Sequence, residues 1–481
     1  MKDLTARALN TAQVLGASYA DVRILRHEGQ TIEVKNGRVE GVATGESEGF
    51  GVRVVVDGAW GFAASSRLTP EEIDRVAGLA VRIAKASALV KHSSVQLGPP
   101  VTVRGRYETP VAQDPFAVPL EEKVAHLLAA EGAARRVKGI GVSQASFECL
   151  RDHQTFANSE GAYIEQVLVE TGGGLEATAI GENDVQKRSF PNSFGRHQGT
   201  AGYEYFTAMD LAGNATRIGE EAVALLSAKQ CPQDIITTII LDATQLALQV
   251  HESCGHPIEL DRVLGMEAAY AGASFLTLEK RGSFTYGSDI VNIVADATVP
   301  GGLGTFGYDD EGVPAQRVQI VRNGTFQNYL TSRETASVIG QASNGTARAD
   351  GWNRIPLIRM TNINLEPGTW SFADLVADTD DGIYMQTNKS WSIDDKRLNF
   401  QFGTEIAWEI KRGKLGQMLK NATYTGITPN FWRSCDAICD ASHWNVWGTP
   451  NCGKGQPPQV AHVGHGTAPA RFRNVRVGLM K

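Results

Sequence analysis

The sequence predicts an α+β fold in two domains, residues 1–230 and 231–481. Three observations carry that expectation. Up to about residue 180 the chain mixes strand-like runs, turn dipeptides and amphipathic helices, as expected for helices covering a largely antiparallel sheet. Cys231-Pro232-Gln233-Asp234 then interrupts the pattern. Beyond it a β-branched run feeds one helix rich in potential ligands, and past residue 280 the chain is β- and glycine-rich.

Residues 3–15 have the spacing of an amphipathic helix. Short strands are expected at 20–25, 31–35, 39–43, 51–56 and 61–64, with hairpin turns at Asn36-Gly37 and Asp57-Gly58. Thr69-Pro70-Glu71-Glu72 is a helix start, with a threonine cap, proline at the first position and acids at the positive end. That helix is expected to reach Lys91. A second should run from near Pro119 to near Lys138, before strands resume over 142–179. Residues 181–205 are polar and glycine-rich and read as a long loop, with His197 an ordinary loop residue. A helix over 209–229 leads to the domain boundary. The run 235–241 reads as a buried strand. Hairpins are expected around Asn323-Gly324 and around Lys411-Arg412-Gly413-Lys414. Seven of the eight tryptophans lie beyond residue 350 and are expected to fill the core of the C-terminal domain.

Composition narrows the function. With 42% hydrophobic and 21% charged residues and a net charge of −7, this is ordinary globular composition. No long basic run points to nucleic acid. No apolar run is long enough to span a bilayer, and no signal-like core follows the first residues, so no membrane association and a cytoplasmic location are expected. Six cysteines in 481 residues do not make a disulfide scaffold, which fits a reducing compartment.

The chemistry concentrates in His251-Glu252-Ser-Cys254-Gly255-His256-Pro257-Ile-Glu259. Imidazoles are common zinc ligands, and a glutamate beside one can take a proton from an activated water. The histidines stand at i and i+5, so a regular helix turns them to different faces. They reach one metal only if the helix widens or ends between them. Gly255 and Pro257 favour an ending, with His256 returning from an extended segment. Cys254 points away from His251 by helical geometry and reads as packing.

Two histidines need a further ligand. Glu259 and Asp261 are near. Cys435, Cys439 and His443, spaced to share one helix face, are farther on, as are Cys452, His462 and His465. Gly301-Gly-Leu-Gly304-Thr-Phe-Gly307 lacks the strand–turn–helix context of a phosphate loop, and Asp309-Asp310-Glu311 reads as a solvated turn.

Four segments together resemble the TldD/PmbA family of metallopeptidases. They are His251-Glu-x-x-x-His256 with Pro-Ile-Glu259, Tyr308-Asp-Asp-Glu-Gly-Val-Pro-Ala315, Met360-Thr-Asn362-Ile-Asn-Leu-Glu-Pro-Gly368, and Asn451-Cys452-Gly-Lys-Gly-Gln456-Pro-Pro. They come in family order and cover the C-terminal half. The resemblance implies a catalytic, TldD-type zinc (Zn2+) peptidase that degrades unfolded or modified peptides in an enclosed chamber. It also implies a homodimer, or a heterodimer with a homologous subunit lacking the motif. His251, His256 and Cys452 would be the metal ligands and Glu252 the general base. Cys452 also suits the role chemically: thiolate binds zinc strongly, glycines flank it, and Lys454 would favour the thiolate. The sequence departs from the family around Cys435–Trp447 and at His462 and His465. The rival expectation is a non-catalytic peptide-binding or regulatory module of the gyrase-modulator kind.

Overall fold

Turn chemistry builds the first sheet. Asn36 and Gly37 both take positive φ, 48° and 77°, the turn geometry whose twist matches paired strands. They join Tyr19–Lys35 to Arg38–Val56, which pair from Tyr19↔Val55 to Lys35↔Arg38. The four short runs expected here are therefore two long strands. Their polar and glycine-rich middles interrupt the apolar alternation, but the backbone ladder does not depend on side chains. Asp57-Gly58 turns the chain again into Ala59–Ser65.

In this computed structural model, which describes residues 1–268, 272–455 and 458–478, the fold is α+β in two domains. Gln456 and Pro457 of the fourth motif segment lie outside the described residues. The N-terminal sheet runs in the order Ala59–Ser65, Arg38–Val56, Tyr19–Lys35, Ile140–Asn158, Tyr163–Ile180, Arg104–Glu108, antiparallel except for its last pair. Helices Lys2–Val14 and Pro70–Ala88 cover one end, and Leu120–Arg135 and Leu211–Ser227 the other. Thr69 caps Pro70–Ala88 by accepting from the Glu72 amide at 3.3 Å. That helix stops three residues short of Lys91. The expected loop 181–205 contains strand Val185–Phe190, which pairs with Tyr163–Ile180, and the start of the short helix Tyr203–Ala208.

The C-terminal sheet closes on itself. Asp381–Ile393, Ile235–Leu241, Ala470–Val477, Thr423–Ile427 and Asn399–Lys411 follow one another, and the last pairs back with the first. Ile235–Leu241 is buried only in its second half. Ile236 is 72% exposed, whereas Ile239–Leu241 lie between two partner strands. The tryptophans are mixed: Trp432 is fully buried, but Trp391 is exposed. Cys435, Cys439 and His443 do not share a helix face. Cys435–Ile438 is a strand on Ala470–Val477, and Ala441–His443 is a single 3-10 turn. Sheet pairing overrides the helical spacing, sending Cys435 to the main core and Cys439 to a separate cluster with Trp370 and Trp444.

The acidic turn is not solvated. Asp309, Asp310 and Glu311 are all buried. Asp310 pairs with Arg23 at 3.1 Å and Glu311 with Arg53 at 3.2 Å, so this segment ties the C-terminal domain to the N-terminal sheet.

Candidate metal centre

Asp242 starts the motif helix, accepting from the Thr244 amide at 2.9 Å and capping Ala243–Val250. The helix then widens. His251–Gly255 forms a π turn, closed by the His256 amide on the His251 carbonyl at 3.2 Å. His256 remains helical, at φ −68° and ψ −42°, despite the proline after it. The expected helix end is therefore corrected: widening, not termination, brings positions i and i+5 together. Gly255 is needed for a different reason than a left-handed turn. A Cβ there would lie 2.3 Å from Met360 Sδ, so the glycine admits the Met360-Thr361-Asn362 segment against the helix.

His251, His256 and Cys452 converge. One ligand atom from each lies within 4.8 Å of the others, and all three residues are buried. Cys452 Sγ is 3.9 Å from His256 Nε2. The other ring nitrogens are committed elsewhere. His256 Nδ1 meets Glu259 Oε2 at 3.0 Å, and His251 Nδ1 meets His465 Nε2 at 2.8 Å. Such contacts fix ring orientation and leave Nε2 to face a metal.

Glu259 and Asp261 thus have supporting places. Glu259 orients His256 and lies near Arg262 and Lys454, at 3.4 and 3.5 Å. Asp261 accepts from the fully buried Lys454 ammonium at 2.7 and 2.8 Å, and Lys454 also donates to the Ile358 carbonyl at 2.7 Å. Lys454 therefore neutralises these carboxylates rather than facing the thiol alone.

The electrostatics suit a cation. Burial lowers the pKa of both His251 and His256, which keeps them neutral. Burial opposes ionisation of Cys452, but the adjoining His256 outweighs it and the thiol is lowered. Burial also opposes ionisation of Glu259, but Lys454 and His256 hold it well below the usual carboxylate range. Two imidazoles and a cysteine sulfur form a donor set that fits a borderline metal ion. Cys254 does not compete. It is in the core, and burial pushes its thiol up to about 12.

Glu252 stands beside the cluster but outside it. It is 5% exposed, and Oε2 accepts from Arg397 Nη1 at 2.7 Å. Sequence reasoning missed Arg397, which has no motif around it. It also left open His465, and the pair formed by His462 and Glu170. The loop reading of His197 needs revision. Its Nε2 meets Tyr205 Oη at 2.8 Å, Nδ1 accepts from the Gly448 amide, and burial lowers its pKa to about 4. The Gly301–Gly307 segment is packing: Cβ atoms at Gly302 or Gly304 would strike Asn362 or Thr361.

Comparison with known proteins gives matches over most of the chain. Family models match at residues 20–84, the PmbA/TldA metallopeptidase domain 1, at 113–230, the central domain, and at 236–478, the C-terminal domain. A metalloprotease of Methanocaldococcus jannaschii is 31% identical over 87% of this chain and 89% of its own. A metalloprotease of Methanothermobacter thermautotrophicus is 30% identical over 96% and 95%. The crystal structure of TldE from Thermococcus kodakarensis superposes with a TM-score of 0.75 at 16% identity, covering 99% of this chain and 100% of that one. A Thermotoga maritima structure described as a candidate DNA gyrase modulator gives 0.77 at 19% identity over 99% and 100%; both structures speak to the fold.

Proposed function

The chain belongs to the PmbA/TldD metallopeptidase family, and from that premise we propose that it is a zinc-dependent peptidase acting on unfolded or modified peptides. The observation that carries this reading is the buried convergence of His251, His256 and Cys452, with Glu252 held beside them by Arg397.

These three side chains would hold the ion. Zinc in such a site supplies Lewis-acid activation of a carbonyl and of a water molecule. His465 and Glu259 keep the two imidazoles in orientation. Glu252 accepts the proton of the attacking water and returns it to the departing amine. Arg397 keeps that carboxylate in place, donating to its Oε2 at 2.7 Å. The substrate is an extended peptide whose backbone pairs with a strand edge, an affinity that tolerates many sequences. The domain division at 230/231, a dimeric state with a like or homologous subunit, and a reducing cytoplasmic setting complete the reading; all six cysteines are free thiols, which supports the last.

The test is cleavage of an unstructured peptide by the purified chain with zinc restored. Activity should disappear with a chelator and return with zinc. Glu252→Ala should keep its metal and lose roughly 10²–10⁴ in turnover. Near-normal activity in that variant removes Glu252 from the mechanism.

A further inference from the structure

Two arginines beside the metal centre have no acid to pair with. Arg359 is fully buried, at 1% exposure, and Arg348 is partly buried. Among the described residues neither forms an ion pair, and every hydrogen bond from their guanidinium groups goes to a backbone carbonyl. Buried charges are normally paired, so these two call for an explanation.

A short ribbon delivers both side chains. Ala347 pairs with Ile358 and Arg348 with Leu357, and Arg359 follows directly. Arg359 Nη1 donates to the Gln459 carbonyl at 3.1 Å, and Nη2 donates to the Cys452 carbonyl. Those carbonyls belong to opposite strands of one hairpin, in which Cys452 stands opposite Ala461 and Lys454 opposite Gln459. The ladder slips just before this point, between Thr449 and Cys452, and a slip disrupts local pairing. One guanidinium therefore spans both strands immediately after the slip. Arg348 makes a parallel link. Its Nη2 donates to the carbonyl of Met360 and, at 2.9 Å, to that of His462. Met360 in turn packs against Gly255 in the π turn between the two histidines.

Serving two carbonyls does not by itself require an arginine. A neutral side-chain amide also carries two N–H donors. What the amide lacks is the charge and the rigid planar fork. A cysteine gives up its proton on binding a metal ion and becomes an anion. Arg359 is the cation fastened to the backbone of that same cysteine, whose Sγ lies 3.9 Å from His256 Nε2.

We propose that Arg359 is the positioning residue of the third metal ligand: it pins the Cys452 backbone across the slipped ladder and so holds Sγ beside His256. The proposal rests on the metal-centre part of the proposed function and adds the residue on which sulfur coordination depends. Arg359 touches neither metal nor substrate and acts through Cys452. Arg348, from the same ribbon, holds the neighbouring His462 and Met360 backbone in the same frame.

The experiment titrates the full chain with Co2+, whose sulfur-to-metal charge-transfer absorption reports a cysteine ligand directly. The unaltered protein should show that band, and Cys452→Ala should lose it. Arg359→Gln keeps two donors and removes the charge. It should bind cobalt about 10–100-fold more weakly, with the band shifted or diminished. Arg359→Lys keeps the charge and loses the fork; it should also alter the band, and it carries the test if the glutamine variant does not fold. Arg188→Gln controls for the loss of a buried arginine alone. Arg188 pairs with Glu221 and Glu405, away from the ligand contacts, so this variant should melt earlier with an unaltered cobalt spectrum. In a Cys452→Ala background, adding Arg359→Gln should cost no more than about twofold in cobalt affinity, because the sulfur it acts through is gone. An unchanged spectrum and affinity in the Arg359 variants overturns the proposal, and so does a full further loss in the Cys452→Ala background. Cobalt binding without peptide cleavage would sink the peptidase reading and leave the role of Arg359 standing. Failure of the unaltered protein to bind cobalt would sink the metal centre and this proposal together.

Discussion

Lys454 is a fully buried charge near the metal centre, and replacing it with methionine tests how that centre is supported. The ammonium has no solvent exposure. It neutralises Asp261 at 2.7 Å and Glu259 at 3.5 Å and donates to the Ile358 carbonyl. Methionine matches the stem but removes the charge, leaving three buried acceptors short of a donor. Removing one partner of a buried ion pair costs roughly 3–5 kcal/mol. Glu259 keeps Arg262 at 3.4 Å and His256, so Asp261 bears most of the loss and the lower end applies, about 3 kcal/mol. For a domain of this size that lowers Tm by on the order of 6–12 °C. There is a second effect. Without Lys454 the pKa of Glu259 rises, and its hold on His256 Nδ1 weakens. Loss of such an orienting contact typically costs about 10–100-fold in metal affinity. Differential scanning calorimetry of the metal-free protein reads the first effect, and competition with a chromogenic chelator reads the second. If Lys454→Met melts at the same temperature and holds zinc as tightly, this account of the buried network is wrong.

The remaining predictions concern ligands, pH and assembly. Cys452→Ala should lose most bound zinc in metal analysis, by about two orders of magnitude in affinity, while Cys435→Ala and Cys439→Ala keep it; the reverse pattern would refute the ligand set. Burial lowers the His462 pKa, but Glu170 outweighs that and raises it above the ordinary value. The resulting stabilisation is complete below the unfolded pKa of about 6.5 and is lost as pH rises through the folded value. The Tm gap between the unaltered protein and His462→Gln should therefore be wider at pH 6 than at pH 8.5, and a constant or widening gap contradicts the assignment. Sedimentation of the purified chain should give a dimer, or activity should require a homologous partner; a fully active monomer at low concentration would end that expectation.

The motif was legible because its chemistry is local. His251, Glu252 and His256 sit within six residues, whereas Cys452 was singled out among several candidate ligands by the family resemblance of its glycine-flanked segment. How the helix carries both histidines was not legible. Gly255 and Pro257 are ordinary stop signals, yet packing of Met360 against Gly255 keeps the chain helical and wide. Tertiary contact overrides local preference here. The same holds at Cys435 and Cys439, where pairing with Ala470–Val477 replaces helical spacing. The long N-terminal strands were read as fragments because polar residues interrupt their apolar pattern, whereas the turn at Asn36-Gly37 was read correctly because its backbone requirement is local. Arg397, Lys454 and His465 act through contacts more than 140 residues away in sequence, which no spacing rule reaches.

One hairpin supplies most of what the motif helix lacks, and a single bulge sets which way it faces. Asn445–Lys454 pairs with Gln459–Thr467, with Trp447 opposite His465 and Thr449 opposite Val463. The next pair is Cys452 with Ala461: three residues advance on one strand for two on the other. The extra residue falls at Pro450-Asn451, and proline is tolerated within strands chiefly at edges and bulges. Residues directly opposite share a sheet face. The bulge therefore shifts the alternation by one and puts Cys452 and Lys454 on the same face as Val463 and His465, all buried. A regular ladder would have turned Cys452 to the other face, where Val460 and His462 line a cavity of about 530 Å³. Cys452 and its supports Lys454 and His465 occupy one buried face because the strand carries one residue too many.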